Sequence, residues 1–102
     1  MGPEEQANFG IANAIARNDA REALRQLGLA LDGGAVPFFL LGQLRFAAEK
    51  LPSVRLRSGI DAVFRTDLAL KSSAGDPRTL LERLVVELCV EAPRKGAPYG
   101  RQ

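Results

Sequence analysis

Apolar residues recur at helical spacing from one end of this chain to the other, and the recurrence is cut only where helix-stopping or helix-starting residues stand. Sustained apolar–polar alternation is missing, and one Tyr with five Phe supplies little aromatic material for strands. The cuts fall at Asn18-Asp19, Asp32-Gly33-Gly34, Pro52-Ser53, the stretch Ser72 to Gly75, and Pro93. Between them there is room for helices and for little else.

The first helix is expected from Glu4 to Arg17, with Phe9, Ile11, Ala12, Ala14, Ile15 and Ala16 apolar. Asn18-Asp19 breaks it and supplies a cap for the second, Ala20 to Leu31, whose Ala20, Ala23, Leu24, Leu27 and Leu31 form one face. Gly33-Gly34 stops it, because glycine enters the left-handed conformation of a C-terminal cap without strain. Pro37 opens the third helix, where a missing N–H has no helical partner to lose. That helix is apolar on most sides through Leu51, which places it at the centre. Pro52-Ser53 is expected to end it and to cap the fourth, Val54 to Ser72, with Leu56, Ile60, Val63, Phe64, Leu68 and Leu70 as its apolar side. Arg57–Asp61, Asp61–Arg65 and Asp67–Lys71 are i,i+4 pairs on its outside. Asp76-Pro77 starts the fifth helix, which runs to Glu91 with Leu80, Leu81, Leu84, Val85, Leu88 and Cys89 apolar.

The expected fold class is all-α, a single bundle of about five helices with short loops. At 102 residues and 11.0 kDa the chain makes one small domain. Residues 1–92 would be the helical domain, and residues 93–102 a basic, disordered tail. Gly10, Gly28, Gly42 and Gly59 fall inside the helical stretches, each at a cost of about 1 kcal/mol relative to Ala, and close helix approach is the usual reason for tolerating them. No internal repeat of solenoid length is present.

Charge points first towards nucleic acid: the formal net charge is +2 and the pI about 9.1. Its position weakens that reading. Pro93 to Gln102 hold Arg94, Lys95 and Arg101 with no acid, while the residues before Pro93 hold 11 basic and 12 acidic side chains. A groove-reading helix would need a clean basic stripe. Arg55, Arg57 and Arg65 share their helix with Asp61 and Asp67, and Arg21 and Arg25 flank Glu22.

Catalytic equipment is equally thin. The chain has no His, which removes His-based general bases and His-ligated metals, and its single Cys excludes an intrachain disulfide. Phosphate loops, H-E-x-x-H, C-x-x-C and EF-hand loops are absent. Gly33-Gly34 reads as a helix cap, and Cys89, on an apolar face, as a core thiol. No catalytic residue, metal or cofactor is expected. Nor is a membrane partner, since no apolar run reaches the roughly 18–20 residues of a span. One free thiol and an acidic, polar N-terminus fit a cytoplasmic location.

The order of four motifs resembles the C-terminal domain of the bacterial DNA polymerase III delta subunit, in the clamp-loader family. Phe9-Gly-Ile-Ala-Asn-Ala-Ile-Ala-Arg-Asn-Asp19 is similar to the family's F-x-L-x-[DN]-A-[IL] helix with its polar break. Ala23-Leu24-Arg25-Gln26-Leu27, then Gly33-Gly34-Ala35-Val36-Pro37 and Phe38 to Leu44, resemble A-L-x-x-L followed by G-x-x-P-x-x-L-L-x-x-L. Leu56-Arg57 with Arg65-Thr66-Asp67-Leu68-Ala69-Leu70-Lys71 is similar to the T-[DE]-x-x-L-K helix, and Leu80 to Cys89 to the final leucine-rich helix. The likeness covers Phe9 to Cys89. The two domains that precede this one in the family are not in these residues, and the stretch between the third and fourth helices is shorter by about one helix.

The resemblance implies a structural role. Collar domains of clamp-loader subunits pack side by side and hold the assembly together while other domains meet the clamp and DNA. The implied partners are the other clamp-loader subunits, with DNA met only indirectly or through the tail. Helix-on-helix recognition needs exposed apolar positions bounded by charge. Val86 and Val90 on the fifth helix and Leu29 on the second are the candidates, with Arg65 and Lys71 as rim charges. The alternative is a small helical nucleic-acid-binding domain acting through its basic tail.

Overall fold

The computed structural model of the chain describes the backbone of residues 3–89 and the side chains of residues 10–89. Val90 and the tail from Pro93 to Gln102 lie outside the described residues, as does the Phe9 side chain, and the fifth helix, expected to reach Glu91, ends at Leu88 with Cys89 as its cap. Among the described residues the fold is all-α, with five helices: α1 Pro3–Ala16, α2 Ala20–Asp32, α3 Pro37–Glu49, α4 Ser53–Lys71 and α5 Pro77–Leu88. None of them is long and apolar enough to cross a membrane.

Local chemistry accounts for the helix ends. Asp19 accepts a hydrogen bond from the Glu22 N–H at 3.1 Å and caps α2. Asp76 accepts from the Thr79 N–H at 3.0 Å and caps α5, with Pro77 in the first turn. Three helices close with the same paired bonds. After α1, the Asp19 N–H donates to the Ala14 carbonyl and the Asn18 N–H to that of Ile15. After α2, Ala35 reaches Ala30 and Gly34 reaches Leu31, and after α4, Ala74 reaches Ala69 and Ser73 reaches Leu70. The pivot of each closure is left-handed: Asn18 at φ 57°, Gly34 at φ 96° and Ser73 at φ 55°. Of the two glycines after α2, Gly34 alone needs that conformation, since Gly33 has φ −82°. Ser53 does not cap α4 as expected; it is the first residue of that helix, behind Pro52, and no side chain bonds the N-terminus.

The core is built from Leu, Ile, Val and Ala. Ile11, Ile15, Leu27, Leu40, Leu44, Leu81, Leu84, Val85 and Leu88 are its fully buried larger side chains. α3 and α5 each touch three helices: α3 packs on α1, α4 and α5, while α5 packs on α2, α3 and α4. Gly59 marks the tightest crossing. A Cβ there would stand 2.5 Å from Leu51 Cδ1 and in ordinary contact with Leu88 Cδ2 at 3.4 Å, so the Leu51 side chain would have to move to admit one.

Two expectations about packing are corrected. α3 is not enclosed, because Phe38, Phe39 and Phe46 are each about half exposed. α4 inserts its small residues, Gly59, Ala62, Val63 and Thr66, and leaves Ile60, Phe64 and Leu68 outside. The physical reason is common to both. The two helices meet along a small-residue seam, and among the described residues no further helix covers the far side of either.

Candidate docking surface

Four phenylalanines have described side chains, and all four are on the surface, between 47% and 61% exposed. Their positions follow from helical periodicity. Phe38, Gly42 and Phe46 are spaced i, i+4 and i+8 on α3, and Ile60, Phe64 and Leu68 repeat that spacing on α4. Between these helices lies an open cleft of about 550 Å³. Phe38 and Gly42 form one wall, Ile60 and Phe64 the other, with Leu41 and Val63 reaching in from the core. Phe38 and Lys71 line the same cleft, so the start of α3 lies beside the end of α4.

Charge frames this surface unevenly. Arg45 on the α3 wall and Lys71 on the α4 wall have side chains 69% and 62% exposed. Asp67 is only 26% exposed and is held by Lys71 at 3.0 Å. Arg45 meets Glu49 at 3.3 Å, but Glu49 does not line the cleft. The lining of the cleft therefore carries two cations, each ion-paired, against one recessed carboxylate.

Gly42 is unlike the other glycine of this seam. A Cβ at Gly42 would meet no described residue within 4 Å, whereas one at Gly59 would collide with Leu51 Cδ1. A glycine inside a helix costs about 1 kcal/mol relative to Ala, and at Gly42 no contact within the fold accounts for that cost.

A second hollow, of about 610 Å³, lies where the ends of α1 and α3 meet the start of α4. Phe46 and the strongly exposed Val54 border it. Its cations are engaged: Lys50 Nζ sits 4.9 Å above the Phe46 ring. The Arg55 guanidinium donates to the Leu88 carbonyl at 2.8 Å and to Asn18 Oδ1 at 3.4 Å. Among the described residues no three His, Cys, Asp or Glu side chains converge as around a metal ion.

The residues expected at an interface are scattered. Leu29 is 54% exposed on α2 and Val86 45% exposed on α5. Arg65 does not pair along its own helix with Asp61; it reaches Glu87 of α5 at 3.6 Å and helps to hold α4 against α5. Lys71 makes its expected pair with Asp67 and is the one candidate that lines the cleft. Val90 lies outside the described residues, as do the tail charges of the nucleic-acid alternative. Missed were Phe38, Phe64, Ile60 and Leu68, all assigned to the core. Their signal was present: α3 carries apolar residues around more of its circumference than three neighbouring helices can cover.

Fold and surface together define a class, a small all-α bundle with an aromatic cleft open to solvent. Comparison with protein-family models, curated proteins and solved structures returns no match.

Proposed function

We propose that this chain is a subunit-assembly domain that docks onto other proteins through its α3–α4 face. In this reading it is the collar domain of a DNA polymerase III delta-type subunit. It would work in the cytoplasm, supporting the loading of the sliding clamp without chemistry of its own. The observation that carries the docking role is the exposure of Phe38 and Phe64 on the two walls of the α3–α4 cleft. Aromatic side chains cost little conformational entropy when fixed and dominate binding energy at interfaces, while a monomer gains nothing by leaving them in water. The clamp-loader identity rests on the four ordered motifs between Phe9 and Cys89.

The test is co-elution on size-exclusion chromatography of the purified chain with the other clamp-loader subunits. Wild-type protein is expected to co-elute, Phe64→Ser to be displaced, and neither to turn over nucleotide. Wild-type protein that elutes alone overturns the collar reading.

A further inference from the structure

We infer that Gly42 is the socket of the docking face, and that it receives a large apolar side chain from an amphipathic partner helix whose flanks are acidic. This rests on the reading of α3–α4 as a docking face, but not on the identity of the partner.

Three observations converge. Phe38 stands one turn before Gly42 on the same wall of the cleft, and Phe64 and Ile60 close it from across, while Phe46, one turn after Gly42, borders the second hollow. Phe38, Ile60 and Phe64 on three sides of a bare backbone position leave a notch of the kind that helix–helix packing fills with a knob. Among the described residues nothing fills the notch, since a Cβ on Gly42 would find none of their atoms within 4 Å. Charge then selects the partner: Arg45 and Lys71 stand on opposite walls and, although each is paired, with Glu49 and Asp67, the lining carries both cations against the recessed Asp67 alone. A helix lying along the cleft passes between two cations, so acidic flanks are attracted and basic flanks repelled.

The experiment uses the full chain and synthetic amphipathic peptides of about 20 residues, long enough to form several helical turns. One panel carries Leu, Phe or Trp at the central seam position with Glu on both flanks; its twin carries Lys on the flanks. Calorimetric titration is expected to show the Glu panel binding at least ten-fold more tightly than the Lys panel. Gly42→Leu fills the socket and is expected to weaken the Glu peptides at least ten-fold. Gly42→Ala tests the fold separately: a better helix former in open space should raise the thermal unfolding midpoint. Arg45→Glu combined with Lys71→Glu should reverse the preference between the panels.

Equal binding of both panels, no binding of either, or unchanged affinity in Gly42→Leu each overturn the inference. So does concentration-dependent dimerisation in sedimentation equilibrium that Gly42→Leu abolishes, since the occupant would then be a second copy of the chain. Failure of the collar reading looks different: no clamp-loader subunit co-elutes, yet the Glu peptides still bind. If the subunits co-elute with wild type and with Gly42→Leu alike, the socket fails and the collar reading stands.

Discussion

Burial at the end of α5 pushes the pKa of the Cys89 thiol up from its ordinary value, and the nearby Arg55 charge only partly opposes it. At neutral pH the native thiol should therefore react slowly with iodoacetamide, and denaturant should restore the rate of a free thiol. Equal rates in both states would show that the site is open. Glu22 moves the other way. The Arg25 guanidinium bonds both its oxygens, at 2.9 and 2.8 Å, and Gln26 adds a third bond at 2.7 Å. These bonds hold the carboxyl down from 4.5 to about 2. Because the folded pKa is depressed, the contribution of Glu22 to stability is complete above about pH 4.5 and is lost as the pH falls towards 2. An NMR titration of the Glu22 carboxyl should show its midpoint far below that of an unpaired glutamate, moving upward in high salt as screening weakens the pair. Both residues are easy to find in the sequence. Their ionisation is not equally legible: Glu22 meets its partners within one helical turn, whereas Cys89 is set by packing from distant helices.

Helix ends are the part of this fold written most locally. Asp19, Asp76, Pro37 and Pro77 act on the turn beside them, which is why the expected boundaries and the observed ones nearly coincide from α1 to α4. The C-terminus of α5 is different, because a residue 33 positions away completes it. Arg55 of α4 donates to the Leu88 carbonyl at 2.8 Å and more weakly to that of Glu87, placing a cation at the negative end of the α5 dipole. Arg55→Ala should lower stability by about 1–2 kcal/mol, measured by urea unfolding, with Arg55→Lys recovering part of the loss. A change of less than a few tenths would mean that water replaces the guanidinium without penalty. At the element scale the seam of α4 is the chief departure. Its larger apolar residues suggest the buried side, yet Gly59 and Ala62 permit a closer approach to α3 and α5, and that approach turns Ile60, Phe64 and Leu68 outward.

For the molecule as a whole, the core and the docking face should separate cleanly by mutation. Leu44 is fully buried in the middle of α3, and Leu44→Ala should cost about 2–5 kcal/mol, as large-to-small changes in closed cores do. Phe64 is 61% exposed, so Phe64→Ser should stay within about 0.5 kcal/mol of wild type in the same unfolding assay. A large loss from Phe64→Ser would place that ring in the core and remove the basis of the docking face. The amino-acid sequence by itself determined the helical class, the number of helices, most of their ends and the absence of histidine chemistry. Those properties depend on periodicity, composition and contacts within a turn or two. Only the tertiary structure decided which apolar residues are left over. Periodicity marks a side chain as apolar but does not say whether another helix arrives to cover it. Here the small-residue seam and the limited number of helices leave Phe38, Phe39, Phe46 and Phe64 in water.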